Sequence, residues 1–149
     1  FRRVLFRSLA ASRSAHAQVA TLKPARREAI FQAAALHPQG AVFDAAPGDI
    51  PQVCEHVIIV CAAEVRSAAA CAQLVGELRA QQMACSVVVR HRQWSGLEPE
   101  DIANIVHCDP IAEIPTVRGL TKAVETGGLR SIPRPLRAAA QRVIDEVLS

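Results

Sequence analysis

The stretch that decides the fold is Gly40 to Arg66, GAVFDAAPGDIPQVCEHVIIVCAAEVR. It holds two short apolar runs, Ala41 to Phe43 and Val57 to Cys61, separated by a loop with proline and glycine. Short apolar runs bounded by turn residues are typical of buried strands, and the unbroken VIIVC predicts a central strand of a parallel sheet. Asp44 follows the first run directly. It therefore falls at the strand end where such sheets bind ligands.

Helical patterns alternate with apolar runs on both sides of this stretch. Apolar residues recur at mostly three- and four-residue spacing from Glu64 to about Gln82, which predicts a long helix, and Pro24 begins another predicted helix upstream. The remaining predicted elements are two strands, Cys85 to Val89 and Ile111 to Ile114, and three helices, Leu97 to Val106, Val117 to Val124 and one after Pro135. This alternation predicts an α/β fold: a doubly wound, mainly parallel sheet with helices on both faces.

The C-terminal helix carries an apolar stripe on a basic background. Packing on the sheet explains the stripe, and contact with anionic lipid is the alternative. The stripe consists of Leu136, Ala140, Val143, Ile144, Val147 and Leu148.

The first eight residues, Phe1 to Ser8, resemble the translation of a sequencing adapter, so we interpret them as an artefact. They contain three of the 17 basic residues; removing these leaves 14, which equals the 14 acidic residues. The remainder is thus neutral, which argues against nucleic acid as a partner. Residues 9–22 show no clear periodicity and are interpreted as a loop or a truncated edge.

The five cysteines form no CxxC pair and no zinc-finger spacing with histidine. We therefore predict ordinary buried thiols of a reducing compartment, and no metal centre built on cysteine.

The chain has no GxxxxGK[ST] and no GxGxxG motif, and its serines lie in no nucleophile-elbow context. Asp44 has two interpretations: a carboxylate that holds Mg²⁺-bound water beside a nucleotide, or a loop acid that caps the next turn. Arg90, His91 and Arg92 follow a predicted strand at the same sheet edge. They either meet an anionic or planar ligand or are solvated residues at a strand end.

Several strings in series resemble the C-terminal half of the MinD/ParA-type, deviant Walker ATPases, with the CpaE-like septum-site and Flp/Tad pilus-assembly group nearest. The strings are GAVFDAAPG, CEHVIIVCAAEVRSAAA, CSVVVRHRQWSGLEPEDIANIV, IAEIPTVRGLTKAVETGG and PRPLRAAAQRVI. The resemblance covers roughly Leu22 to Leu148. It implies that residues 23–149 are the C-terminal part of a single, N-terminally truncated P-loop NTPase-like domain.

The resemblance also assigns roles to particular residues. Asp44 falls at the family's strand-end aspartate near Mg²⁺ and the γ-phosphate, which implies a catalytic role and indirect metal contact. Pro47 and Gly48 lie in the loop that senses nucleotide state. Arg90 stands where family members have an adenine-reading asparagine, and Ile114 and Pro115 match the segment that packs against the base.

The family's phosphate-binding loop lies upstream of the first matching string. ATP and Mg²⁺ are therefore expected for a parent protein, and neither binding nor catalysis for this chain alone. The resemblance implies three alternative functions. The first is an ATP-dependent positioning factor for a septum or for a pilus or secretion apparatus, the second a non-catalytic CpaE-like scaffold, and the third a ParA-like DNA-partitioning protein. The expected partners are a second copy of the parent protein and a protein of the septum or of the secretion or pilus machinery. Nucleic acid is not expected as a partner. The expected location is cytoplasmic, with peripheral contact to the inner membrane as an option.

Overall fold

The computed structural model describes residues 24–38, 40–92, 96–126 and 131–147. These residues fall into two compact units, an N-terminal unit that ends at Cys54 and a C-terminal unit that begins at Glu55. The N-terminal unit contains helix α1 (Pro24–Ala35) and a short 3-10 helix (Pro47–Asp49). The C-terminal unit contains β1 (His56–Ala62), α2 (Val65–Ala80), β2 (Ala84–Arg90), α3 (Pro99–Val106), β3 (Ala112–Ile114), α4 (Leu120–Glu125) and α5 (Arg134–Val147).

The C-terminal unit is built on a parallel sheet with the strand order β1-β2-β3. Val87, Val88 and Val89 of β2 are almost fully buried, because β2 has a strand on each side and helices over both faces. A parallel sheet among helices confirms the predicted α/β class.

The prediction that Val57 to Cys61 forms a central strand is wrong for the described sheet, in which β1 lies at one edge and β2 at the centre. Burial along β1 alternates: Ile59 and Cys61 are buried, whereas Ile58 and Val60 are exposed. An unbroken apolar run predicts burial on both faces. In β1 the described residues bury the side chains of one face only.

Helices α2 and α3 share one face of the sheet. Each belongs to a strand-helix-strand crossover, and both crossovers move along the sheet in the same direction, so the right-handed rule places both helices on one side. The two helices contact each other, and α2 contacts both β1 and β2. Val75 and Leu78 of α2 and Ile102 and Val106 of α3 are buried.

Helix α5 packs on the opposite face, against β3. Ala139 forms a small core with Val88 and Ala112, and Val143 packs against its margin. This corrects the predicted stripe: Ala140 and Ile144 are exposed, and Ala139 is the residue that is buried. The contact through alanine brings the helix backbone close to the strands, so the packed stripe is narrower than the apolar pattern suggested.

Hydrogen bonds fix both ends of α3. Glu98 and Asp101 form a capping box, in which the Glu98 backbone N–H donates to Asp101 Oδ2 at 3.0 Å. At the other end His107 has a left-handed conformation (φ 53°), and Arg79 of α2 donates to its carbonyl at 3.1 Å. The helix predicted from acids and proline at its first turn is thereby confirmed.

Two thiols lie inside the core between β1 and α2. Cys61 and Cys71 are buried, the Cys61 thiol donates to the Ala62 carbonyl at 3.3 Å, and burial together with the Cys61 thiol raises the pKa of Cys71 to about 12. Burial also raises the pKa of Cys54 and Cys85, which are half-buried. The prediction of buried thiols is thus confirmed for Cys61 and Cys71 and holds only partly for the other three.

In the N-terminal unit the predicted strand Ala41 to Phe43 is wrong. These residues have no strand conformation and form no ladder with any described residue, and the Val42 side chain is 93% exposed. A strand needs a hydrogen-bonded neighbour. What holds this unit are the edge-to-face contact of Phe31 with Phe43, at 5.0 Å between ring centres, and the 2.7 Å ion pair of Arg27 with Asp49.

Several predictions fall outside the described residues: those for Phe1 to Ser8, for residues 9–22, and for Leu148 of the last stripe. The single-domain prediction for residues 23–149 stays a prediction. Among the helices of the described ranges, none combines the length and the apolar character needed to cross a bilayer.

Ile102 should be the most sensitive position of α3. We expect Ile102→Ala to lower the free energy of unfolding by about 2–5 kcal/mol, because it leaves a cavity under a fully buried side chain. Ile105→Ala, on the exposed side of the same helix, should cost below about 1 kcal/mol. Urea denaturation followed by circular dichroism measures both; equal losses would contradict the packing.

Alkaline pH should destabilise the protein through Cys71. A thiol whose pKa is higher in the folded state contributes full stability below its unfolded pKa, and this contribution is lost as the pH rises through the folded pKa. Stability should therefore fall between pH 9 and about 12, with at most about 1.4 kcal/mol per pH unit from this one thiol.

The fall in stability with rising pH should be smaller in Cys71→Ala than in the wild type, when each protein is compared with its own stability at pH 7. It should not disappear, because burial also raises the pKa of Cys54, Cys61 and Cys85. Urea midpoints from pH 7 to 11 measure it. An unchanged slope in Cys71→Ala would contradict the assignment.

Candidate functional site

The carboxyl ends of the three parallel strands meet at one edge of the C-terminal unit. Ala62 of β1 lies opposite Arg90 of β2, and Arg90 lies opposite Ile114 of β3. Pro115 follows directly. The structure therefore brings together three of the predicted site residues, Arg90, Ile114 and Pro115, at the edge where parallel sheets bind ligands.

Backbone hydrogen bonds continue past the strand ends and join the loops that follow. The Ala63 N–H donates to the Arg90 carbonyl at 3.0 Å, and the His91 N–H donates to the Ile114 carbonyl at 2.9 Å. Thr116 then donates from its hydroxyl to the His91 carbonyl at 3.2 Å. His91 is thus held at both of its backbone groups, which gives this edge a fixed geometry.

Two side-chain pairs add to these contacts. Nε2 of His91 lies 3.1 Å from Oε2 of Glu113, and Arg92 lies 3.7 Å from Oε1 of Glu64, which precedes the first turn of α2. The first pair joins the residue after β2 to the middle of β3, and the second joins the loop after β2 to the residue before α2. Because Glu64 and Glu113 are largely exposed, each pair contributes at most about 1 kcal/mol to stability. Their main effect is on loop position.

Arg90 differs from its neighbours in this network. Its backbone is part of the sheet, but its exposed guanidinium has no hydrogen bond and no ion pair with any residue that the structure describes. A guanidinium offers five donors in a planar fork that suits phosphate and carboxylate groups, and it stacks on planar rings. Arg90 is therefore the group at this edge that is available to an anionic or planar ligand.

A shallow cleft of about 220 Å³ opens beside Pro115, between β3 and α5. It is smaller than the usual range of about 300–1,000 Å³ for sites that enclose a drug-sized ligand. It suits one ring or one side chain rather than a whole nucleotide. The residues that line it are Glu113, Pro115, Pro135, Ala138, Ala139 and Arg142.

The other predicted site residues, Asp44, Pro47 and Gly48, belong to the N-terminal unit. Asp44 is exposed and lies in an irregular segment, not at the end of a strand. Pro47 and Gly48 open the 3-10 helix that Asp49 closes. A larger open hollow of about 420 Å³ lies between α1 and this turn, lined in part by Arg27, Phe31 and Gly48.

The described residues include no group of three or more His, Cys, Asp or Glu side chains that could hold a metal ion. Asp44 offers one exposed carboxylate, and Mg²⁺ binds through one or two carboxylates together with water and substrate phosphates. The described donors thus do not fit a Mg²⁺ site made by protein groups alone. Only the indirect contact assigned to Asp44 stays as a prediction.

Sequence reasoning missed Glu113 and Thr116. Once β2 and β3 are paired in register, Glu113 lies opposite Val89 and next to the strand end that carries His91, so the pairing itself is the signal. That register depends on which strands are neighbours, which a single sequence does not state.

Comparison with known proteins gives a structural match. The chain resembles the crystal structure of a ParA family ATPase from Chlorobium tepidum TLS, with a TM-score of 0.59 and 13% sequence identity over 93% of this chain. The chain spans 61% of the length of that protein. No family model and no curated protein matches the sequence. At this identity the match shows the fold: a ParA-like α/β architecture.

Removal of the Arg90 side chain should leave stability almost unchanged, because the guanidinium has no described partner. We expect Arg90→Ala to alter the free energy of unfolding by less than about 0.5 kcal/mol. Val88→Ala, two residues earlier on the same face, should cost about 2 kcal/mol by removing buried methyl groups. Urea denaturation compares the two; a large loss for Arg90→Ala would show that the side chain is structural.

Proposed function

We propose that this chain is the C-terminal part of a nucleotide-dependent positioning factor of the MinD/ParA type. In this proposal the carboxyl edge of its sheet faces the base of the nucleotide. The observation that carries the proposal is the juxtaposition of Arg90, Ile114 and Pro115 at that edge, beside a cleft of the size of one ring. The ParA-like fold supports it independently.

The roles follow from the chemistry of the groups. Ile114 and Pro115 offer an apolar surface to a ring, and the Arg90 guanidinium can stack on the ring or bind an anion. Asp44 would orient water in the shell of Mg²⁺ near the γ-phosphate. The energy of such catalysis comes from positive groups around the phosphates, and the sequence contains no GxxxxGK[ST] loop to supply them. ATP turnover would therefore belong to a longer protein.

A second candidate function is a non-catalytic, CpaE-like localisation scaffold. Arg90 favours it, because a guanidinium donates hydrogen bonds only, whereas an amide both donates to and accepts from adenine. A scaffold of this kind keeps the fold and the partner surface without turnover. DNA partitioning has less support, because without the first eight residues the basic and acidic residues are equal in number.

The process that such a factor would serve is the positioning of a septum, or of a pilus or secretion apparatus. Its partners would be a second copy of the parent protein and a component of that machinery. A cytoplasmic location with peripheral contact to the inner membrane would suit this role. The exposed arginines of α5, Arg134, Arg137 and Arg142, are compatible with such contact.

Calorimetric titration tests the proposal for this chain. We expect no binding of Mg-ATP with a dissociation constant of about 1 mM or tighter, since the base side alone supplies only part of the affinity. Tight binding would show that this chain forms a complete nucleotide site. It would contradict the proposal that the phosphate-binding part belongs to a longer protein.

The gene tests the choice between enzyme and scaffold. If it encodes a GKGG[ST]-type loop upstream, the longer protein should hydrolyse ATP, and Asp44→Asn should lower kcat by about 100-fold or more. Arg90→Ala should weaken ATP binding there. Absence of such a loop, or an Asp44→Asn variant with full activity, would favour the scaffold.

A further inference from the structure

We propose that Cys85 and Cys108 are a redox-active thiol pair, which a small-molecule disulfide converts reversibly into a disulfide between β2 and the segment that joins α3 to β3. The pair lies at the amino ends of the strands, whereas the candidate site lies at their carboxyl ends. The proposal is therefore independent of the function proposed above. In a reducing compartment the pair would stay as two thiols.

The register of β2 and β3 brings the two cysteines to neighbouring positions. The Ile111 N–H donates to the Val87 carbonyl at 2.9 Å, just before the two strands pair in parallel. Continued two residues toward the amino ends, this register places Cys85 opposite Asp109, the residue after Cys108. Adjacent strands lie about 4.8 Å apart with a rise of about 3.3 Å per residue, so positions one residue out of register have Cα atoms about 6 Å apart. A disulfide spans about 4.4–6.8 Å between Cα atoms.

The two side chains also share one face of the sheet. Successive side chains of a strand point to opposite faces. Because Val88 packs toward α5, Val87 and Cys85 point toward the face that carries α2 and α3. Cys108 comes two residues after the end of α3, on that same face. Both thiols are half-buried, so a small reagent can reach them from the margin of the core.

Arg79 of α2 joins the two cysteines into one cluster. Its guanidinium donates to the carbonyl of His107, the residue before Cys108, at 3.1 Å. Burial raises the pKa of Cys85, the Cys108 thiol raises it further, and the Arg79 guanidinium lowers it. Such electrostatic effects act between neighbouring groups, so Cys85 lies close to both. A cation beside two thiols stabilises the thiolate, which is the reactive form.

The other described cysteines lack this combination of features. Cys61 and Cys71 are buried, and burial raises the pKa of Cys71 to about 12, so almost no thiolate forms there at neutral pH. Cys54 belongs to the N-terminal unit. Within the described C-terminal unit, the half-buried cysteines are Cys85 and Cys108.

The reaction is a thiol–disulfide exchange in two steps. The Cys108 thiolate attacks one sulfur of the small-molecule disulfide, whose S–S bond breaks, and one small thiolate leaves with the bonding electron pair. The Cys85 thiolate then attacks the Cys108 sulfur and displaces the second small thiolate. The protons of the two cysteines end on the two leaving thiolates. The protein thiols are thus oxidised, and the small-molecule disulfide is reduced to two thiols.

The order of attack follows from the surroundings of the two thiols. Burial raises the pKa of Cys85 and so lowers its thiolate fraction. Cys108 therefore attacks the external disulfide, and Cys85 resolves the mixed disulfide that results.

Oxidised glutathione, added to the whole folded chain at about pH 8, tests the proposal. Free thiols are then trapped with iodoacetamide, and digestion with mass spectrometry identifies the bonded peptides. We expect a Cys85–Cys108 disulfide as the main product, which dithiothreitol reverses. Cys85→Ser should stop at a mixed disulfide with glutathione on Cys108, and Cys108→Ser should react at least about tenfold more slowly.

Cys54→Ser is the matched control, because it removes a half-buried cysteine outside the pair. It should form the Cys85–Cys108 disulfide at the rate of the wild type. Circular dichroism checks that every variant is folded.

Thermal unfolding tests whether the native positions fit the bond. Oxidation should raise the Tm of the wild type by at least about 4 °C, because the crosslink restricts the unfolded chain. Cys85→Ser treated in the same way should show no such rise.

Four results would overturn the proposal. They are no intramolecular disulfide in the folded wild type, a main product that joins other cysteines, equal reaction rates for Cys108→Ser and Cys54→Ser, and a lower Tm after oxidation. The last would show that the two cysteines do not lie at neighbouring positions of the native sheet.

Discussion

The C-terminal unit depends on the burial of one strand, β2. β1 pairs with β2 along its whole length and β3 pairs with Val88 to Arg90, and the valines of β2 alternate between a face under α2 and a face under α5. Fully paired backbone and two covered faces make a strand the most stable place in a parallel sheet. The register of β2 then fixes where both neighbouring strands end, and so where the loops of the carboxyl edge begin.

The candidate site follows from that register. Arg90 and Ile114 lie opposite each other because β2 and β3 are paired there, and His91 is held between the next backbone groups on both sides. The exposed ion pairs of the same edge contribute little energy, but they limit the loops to few positions. Among the described residues of this edge the Arg90 guanidinium has no partner, and the hydrogen-bonded backbone around it is suited to ligand binding because little order has to be imposed when the ligand arrives.

Most of the C-terminal unit was predictable from its apolar pattern. The strands around Val57 and Val87 and the helix that begins at Pro99 came from local signals: β-branched runs, acids and a proline. The errors concern neighbours in space. Ala41 to Phe43 is apolar enough for a strand but has no described strand beside it. VIIVC is typical of a central strand, although β1 lies at an edge of the described sheet. Local composition does not encode which partner is present.

Hydrogen exchange tests the central role of β2 most directly. In an NMR exchange experiment, the amides of Val87, Val88 and Val89 should all exchange only through global unfolding, whereas those of Val42 and Phe43 should exchange within the dead time, because they are in no strand. Slow exchange at Val42 and Phe43 together with fast exchange at any of the three valines would contradict the account. It would place the stable strand of this fold in the N-terminal unit instead.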